Sequence, residues 1–356
     1  MIVVRSPFRL SLGGGGTDLP SYYKEYEGFL ITAAINKYMY ININEPAIVN
    51  KIKINYSKTE IVGIDEIDDI QHDIVRESLK HLKIKRPIEV HSMADLSAGT
   101  GMGSSSAYTV GLLKGFNTML RRFIPIQELA EEACKVEIDL IGKPIGKQDQ
   151  YATAFGGIIQ MEIDKSGRVI VTPLNIHHET INELENRLMM FYTSIERDAN
   201  EILAEQGEKI EASKDMQKAG CKRFEAETKN PPPASGLQPL SAVDAMHKIK
   251  EIGYEVKKAL IEGNVTRFGE LLHEHWMTKK SVSEKMSSSN IDGWYSLAMN
   301  NGALGGKIMG AGGGGFFVFC VDNGKRKHLR KTLEDTGLHY MDFKFDWEGT
   351  KVLVNI

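Results

Sequence analysis

The stretch Asp95-Leu-Ser-Ala-Gly99-Thr-Gly101-Met-Gly103-Ser-Ser-Ser106-Ala107 constrains this chain more than any other. Its three alternating glycines stand between a strand pattern and a helix pattern. Upstream, Ile88 and Val90 alternate as in a half-buried strand, and downstream Ala107, Val110, Leu113 and Leu120 recur at helical spacing. Glycine accepts positive φ and lets backbone N–H groups converge, and the following helix adds unsatisfied donors and the positive end of its dipole. Such a junction cradles an anion, and a polyphosphate is the natural guest. Competing motifs fit less well. No Gly-Lys-Ser/Thr follows the last glycine, as a Walker loop needs, and Ser104 stands where a dinucleotide fingerprint has its third glycine. A serine-hydrolase elbow around Ser105 meets Ala107 where it needs glycine. A flexible Gly/Ser turn is the plain alternative.

What the loop serves is narrowed by the rest of the composition. The 356 residues carry 42% hydrophobic and 26% charged side chains and a net charge of −3, which suits a soluble chain of two domains with real cores. No sustained basic run exists, so neither nucleic acid nor an anionic membrane is expected as the main partner; a small ligand is. Cys134, Cys221 and Cys320 form neither a disulfide framework nor a zinc pattern, and Met1-Ile-Val-Val-Arg5 lacks a secretory signal. A cytoplasmic location is expected. No apolar run approaches the roughly 20 residues of a membrane-spanning helix.

Two further clusters carry chemistry in the first half. In Gly13-Gly-Gly-Gly16-Thr17-Asp18-Leu-Pro20 a four-glycine turn presents a hydroxyl and a carboxylate, a way to bring backbone and acceptors close to a polyol. A turn with Asp18 as a helix N-cap competes with that reading. Arg9, just before the turn, is either a surface cation or a charge stabiliser. Gly146-Lys147-Gln-Asp149-Gln-Tyr151 is a polar cluster in which Asp149 can take a proton from a substrate hydroxyl, with Lys147 holding it anionic or contacting phosphate. Strands are expected at 29–35, 38–44, 51–56, 158–163 and 168–174, and a helix at about 126–141 with Leu129, Ala133, Val136 and Leu140 inward. Glu137 lies beside that stripe, where a carboxylate is costly unless a cation or metal pairs with it. An exposed helix glutamate is the plainer alternative.

The second half begins near residue 180 with a strand at 188–193 and a long polar helix opened by Ser194-Ile-Glu-Arg197. Residues 220–240, with Pro231-Pro-Pro233, are expected to be a mobile loop. Helices follow at 241–262, 265–276 and, capped by Asn290, 291–300. Gly310-Ala-Gly312-Gly-Gly-Gly315 matches the dinucleotide fingerprint formally, but Phe316 to Val321 continues as a strand. A bare backbone wall against the other glycine loops fits better, and a ligand-free β-bulge competes.

The three loops, in this order, resemble the GHMP kinase superfamily, which includes galacto-, homoserine, mevalonate and phosphomevalonate kinases. Gly99-Thr-Gly-Met-Gly-Ser-Ser-Ser-Ala107 matches the family phosphate loop and Gly310 to Gly315 its C-terminal glycine motif; Ser97 and Met102 replace the usual proline and leucine. Gly13 to Pro20 and Gly146 to Tyr151 look most like D-glycero-D-manno-heptose 7-phosphate kinases, and less like galactokinases, which have a Gly-Glu-His-Thr-Asp element. The resemblance implies an α+β fold of two domains, 1–178 like the second domain of a ribosomal small-subunit protein and 179–356 ferredoxin-like, with the active site between them. It implies that Gly99, Gly101, Gly103, Ser104, Ser105 and Ser106 wrap the ATP phosphates, that Ser105 and Glu137 hold Mg²⁺, that Asp149 is the base, and that Arg9 offsets charge. Thr17 and Asp18 would hold sugar hydroxyls and Gly312 and Gly313 would form part of the wall. Arg197 and Lys280 are the cations offered for a substrate phosphate. The implied activity is transfer of the γ-phosphoryl group of MgATP to an anomeric hydroxyl of the heptose phosphate. A kinase for L-fucose or galactose, or a non-catalytic sugar sensor, would share the motifs. ATP and a small sugar phosphate are the expected partners, with a homodimer left open.

Overall fold

The computed structural model describes residues 1–195, 199–224, 241–282 and 286–356, with backbone alone for residues 199–200 and 216–224. The strands are β1 (Ile2–Gly13), β2 (Gly28–Asn44), β3 (Lys51–Asn55), β4 (Thr59–Gly63), β5 (Ile88–Ala94), β6 (Ile158–Ile163), β7 (Val169–Pro173), β8 (Leu188–Tyr192), β9 (Ala303–Ile308), β10 (Phe316–Val321), β11 (His339–Met341) and β12 (Lys351–Asn355). The helices are α1 (Pro20–Tyr26), α2 (Asp73–His81), α3 (Ser104–Met119), α4 (Ile126–Cys134), α5 (Gln148–Phe155), α6 (His178–Arg187), α7 (Ala199–Phe224), α8 (Ala242–Ile261), α9 (Val265–Lys280), α10 (Ser289–Asn300) and α11 (Arg326–Glu334). None is long and apolar enough to cross a membrane.

Two sheets organise these elements. The first runs β12-β1-β2-β5-β3-β4, with β6 and β7 added on β2, and is antiparallel except where β3 meets β5. The second is the antiparallel sheet β11-β8-β10-β9. Period-two alternation explains β1: Phe8, Leu10 and Leu12 enter the core, so Arg9 and Ser11 point the other way. Helix α3 covers this sheet with residues buried on nearly every side, among them Ala107, Val110, Leu113 and Phe116. The second sheet closes on Trp276 of α9 and Tyr295 of α10 through Phe317 and Phe319, an aromatic cluster with its own core.

Several expectations are corrected here. The strands expected at 29–35 and 38–44 are one strand, β2, because a register shift opposite Pro7 and Phe8 absorbs Asn36 and Lys37. The boundary at residue 178 separates the two sheets, yet β12 returns to pair with β1, so the last strand of the chain belongs to the first sheet. Helix α7 continues through Phe224, into the segment expected to be loop, and the triple proline lies outside the described residues. Ser288, whose hydroxyl accepts from the Ile291 N–H, caps α10 instead of Asn290.

The segment expected as helix 126–141 matters most for the site. It is α-helical only to Cys134, and Lys135–Leu140 winds as a π-helix, shown by Ile141 N–H donating to Val136 O. The wider turn shifts the phase of every later side chain. Leu140 is therefore exposed, and Glu137 is fully buried. Wide turns of this kind commonly mark functional sites.

Candidate active site

A cleft of about 790 Å³ opens between the two sheets and takes residues from both halves of the chain. At its floor Arg9 forks onto Asp149, Nε donating to Oδ1 at 2.7 Å and Nη2 to Oδ2 at 2.8 Å. The third arm of the guanidinium, Nη1, donates to Gly101 O at 2.6 Å. A two-point charge-assisted fork fixes both side chains far better than a single contact. Arg9 is buried at 4% exposure, whereas Asp149 reaches the cleft. The carboxylate keeps free lone pairs for a ligand hydroxyl.

The phosphate loop has the cradle geometry its glycines require. Gly99, Gly101 and Gly103 all hold positive φ, at 76°, 75° and 80°, and Gly103 leads directly into α3. Close approach demands glycine as well: a Cβ on Gly101 would lie 2.6 Å from Met309 O, and one on Gly310 would lie 2.7 Å from the Gly101 Cα. The loops of the two halves thus touch backbone to backbone. This defines the wall differently from expectation. Gly310 and Ala311 line the cleft, while Gly312 and Gly313 back onto Met286, Gly313 N–H donating to Met286 O at 2.9 Å.

Ser105 and Glu137, the residues expected at a metal, touch each other. The Ser105 hydroxyl donates to Glu137 Oε1, Gln150 Nε2 donates to Oε2 at 2.8 Å, and Lys143 Nζ reaches Ser105 Oγ at 2.7 Å and Glu137 Oε1 at 3.3 Å. Lys143 offsets the buried carboxylate, which would otherwise be prohibitive. Ser104 and Ser106 also line the cleft, Ser106 from a nearly buried position.

At the glycine turn, Asp18 and Thr17 part company. Asp18 lines the cleft and accepts Gln148 N–H at 2.9 Å and Gly16 N–H at 3.0 Å. Burial pushes its carboxyl pKa up, against the pull of those two N–H groups, and the Asp149 charge pushes it the same way. Gly146 exists for this contact, since a Cβ there would lie 1.9 Å from Asp18 Oδ2. Thr17 does not line the cleft. Its hydroxyl lies 2.8 Å from Gly14 O and 2.9 Å from Phe29 O and accepts Phe29 N–H at 3.1 Å, so it pins the turn to β2 and leaves nothing for a sugar.

Two lysines expected near phosphate are elsewhere. Lys147 donates to Gly167 O at 2.7 Å and Glu131 at 3.2 Å, facing away from Asp149, whose cation is Arg9. Lys280 is tied to Asp292 and does not line the cleft, and Arg197 lies outside the described residues. The cleft's cations on that side are Lys279 and Lys307, beside His275. All three are buried, at 7%, 2% and 1% exposure. Sequence patterning missed them because α9 was expected to end at Trp276. A helix continued by one turn puts His275 and Lys279 on the stripe of Phe268 and Leu272, and Lys307 sits mid-strand among inward positions.

Unpartnered polar atoms gather around the same cavity. Ser11 Oγ, Gln148 Nε2, Gln206 Oε1 and both His275 ring nitrogens are buried without a hydrogen-bond partner among the described residues. Each such atom costs about 1–3 kcal/mol unless something meets it. Part of the lining is apolar and aromatic, with Met39, Ile74 and Leu96 together with His72, which stacks on Tyr108 at 4.7 Å. A cavity with an apolar part, an anion cradle and a polar floor suits a nucleotide with a polyol beside its phosphates.

Known proteins share this arrangement. Residues 72–157 match the model for the GHMP kinases N terminal domain and residues 256–337 that for GHMP kinases C terminal. D-glycero-alpha-D-manno-heptose 7-phosphate kinase from Campylobacter jejuni is 32% identical, covering 98% of each chain, and galactokinase from Pyrococcus furiosus is 27% identical over 99% of this chain and 97% of its own. A solved structure described as a D-glycero-D-manno-heptose 1-phosphate kinase from Bacteriodes thetaiotaomicron superposes with a TM-score of 0.76 at 25% identity, covering 100% of both chains. With the cradle, the Arg9–Asp149 pair and the two-domain cleft in place, the chain belongs to the GHMP kinase family and is one of its ATP-dependent sugar kinases.

Proposed function

We propose that the acceptor is D-glycero-D-manno-heptose 7-phosphate and that its anomeric hydroxyl receives the γ-phosphoryl group of ATP, giving the 1,7-bisphosphate. One observation carries the chemistry. The Arg9 fork holds Asp149 in the cleft while donating to the phosphate loop itself at Gly101 O, so the acceptor-orienting carboxylate and the cradle share one rigid anchor. The acceptor class rests on the 32% identical heptose 7-phosphate kinase, which this chain matches nearly end to end.

The steps follow from the residues. The Gly99 to Gly103 backbone and the α3 N-terminus receive the phosphates, and Asp149 accepts a hydrogen bond from the attacking hydroxyl and takes its proton as the new P–O bond forms. Arg9 meets the charge that develops on the transferring group. Asp18 and Gln148 hold sugar hydroxyls, an aspartate oxygen accepting and the glutamine's unpartnered Nε2 donating. Transfer is direct and in line, without a phosphoenzyme, so positioning and charge neutralisation supply the acceleration. Glu137 and Ser105 are the carboxylate and hydroxyl that would hold Mg²⁺, with the Lys143 ammonium, which contacts both, giving way toward the phosphates; such an ion takes one or two protein oxygens together with phosphate and water. Mg²⁺ held by these two residues would neutralise phosphate charge.

ADP release with MgATP tests the proposal on a panel of heptose 7-phosphate, free heptose, mannose, galactose, L-fucose and mevalonate. Heptose 7-phosphate is expected to give the highest kcat/KM. A higher value for galactose or L-fucose would replace the acceptor and leave the kinase in place.

A further inference from the structure

We infer that Lys307, Lys279 and His275 form the seat of the acceptor's own phosphate, on the C-terminal face of the cleft. The inference rests on the proposed phosphorylated acceptor and adds the site that recognises it.

Lys279 Nζ donates to Gly310 O at 2.7 Å, and the Lys307 ammonium has no hydrogen bond or ion pair among the described residues. His275, one turn before Lys279 on α9, has both ring nitrogens buried and unpartnered. Two buried ammonium groups without a carboxylate on either are expensive in a folded chain. They are tolerable where an anion completes them. The surrounding charges do not: Arg9 adds to the repulsion, and Asp149 is already forked onto Arg9. Asp18, the other carboxylate facing Lys279, is itself pushed toward its neutral form. Burial first, then the neighbouring cations, lower Lys279 to about 8 and take Lys307 well below its ordinary value. Among the described residues, the half of the cleft floor that does not cradle ATP therefore holds two lysines that lack a counter-anion, and an anion seated there would restore their hold on the proton.

The nucleotide does not need these lysines. Its phosphates have the glycine loop, the helix terminus and the Glu137–Ser105–Lys143 cluster, all from the N-terminal half. A phosphate monoester dianion fits the remaining set, two ammonium donors and an imidazole, with Gln206 Oε1 and Ser11 Oγ nearby for hydroxyls of the same ligand. Selectivity for a phosphorylated over a free sugar then resides in α9 and β9.

The test compares wild type with Lys307→Met on heptose 7-phosphate and on free heptose. The KM for the phosphorylated acceptor should rise about tenfold or more, the size of a lost charged hydrogen bond, while the KM for ATP stays within about twofold. The ratio of kcat/KM values for the two acceptors should fall accordingly. A rise confined to the KM for ATP would assign the cluster to the γ-phosphoryl group and overturn the inference, as would equal losses on both acceptors. A second measurement needs neither turnover nor a particular sugar. With Mg²⁺ and a nonhydrolysable ATP analogue filling the nucleotide site, inorganic phosphate is titrated calorimetrically into wild type at pH 8 in buffers of different ionisation enthalpy. Binding with proton uptake, as the anion restores the proton to Lys279, supports the seat even if heptose 7-phosphate proves not to be the acceptor. Binding without uptake, or no binding, contradicts it.

Discussion

Cations in the two halves of the cleft live under opposite rules. On the N-terminal side every one meets a carboxylate, Arg9 with Asp149 and Lys143 with Glu137. On the C-terminal side, among the described residues, the Lys279 ammonium meets a backbone carbonyl and no carboxylate, and the Lys307 ammonium meets no partner. Paired cations hold machinery in place before substrate arrives. Unpaired ones store an unfavourable charge that a ligand relieves, so the first set tunes turnover and the second tunes which acceptor is chosen.

The largest effect should come from breaking a pair. Asp149→Asn is expected to lower kcat by about a hundredfold or more with little change in the KM for ATP, because the acceptor proton loses its destination. Unchanged turnover in steady-state assays would remove the base role. Glu137→Gln should next raise the Mg²⁺ concentration needed for half-maximal rate by about tenfold or more. A magnesium titration showing the same midpoint as wild type would move the metal elsewhere.

Thr17→Val separates scaffold from site. Its loss should lower unfolding free energy by about 1–3 kcal/mol, since it leaves the Phe29 N–H unmet, and should spare the KM for sugar. Denaturant melts and kinetics read both; a raised sugar KM at unchanged stability would return Thr17 to the substrate. pH sharpens the contrast further. Burial, then Arg9, lowers Lys279 to about 8, so its charge is present below that value and lost above it. The KM for the phosphorylated acceptor should climb from pH 8 to 9, and a flat profile would deny Lys279 a part in binding. The smallest effect is on stability: Lys307→Met should raise Tm by a few degrees, because a buried amine with no counter-charge among the described residues is replaced by an apolar side chain of similar length.

Much of this was legible in residue order. Alternating glycines before a helix announced the cradle, and Asp149, Arg9 and Asp18 fell into one cleft as the sequence suggested. The misses have specific physical causes. A π-turn after Cys134 changed the helical phase, so Leu140, expected inward, went outward, which a fixed 3.6-residue period cannot foresee, while Glu137, expected beside the stripe, is fully buried. Thr17 looked like a sugar ligand beside Asp18, but its hydroxyl closes on backbone that only the folded β2 supplies. Lys147 sits two residues from Asp149 in sequence and faces another pocket, whereas Arg9, 140 residues away, is the partner. Lys279 and Lys307 carried a usable signal, charge at core-phase positions, which points to a site more strongly than charge in a glycine-rich loop does.

The central claim is that phosphate is placed on the anomeric oxygen of a sugar that already carries one. Phosphorus NMR of heptose 7-phosphate incubated with the protein, Mg²⁺ and ATP tests it most directly. A second sugar phosphate resonance, coupled to the anomeric proton, is expected to grow in step with ADP while the 7-phosphate signal persists. ADP accompanied only by inorganic phosphate, or a new ester on any other carbon, would contradict it.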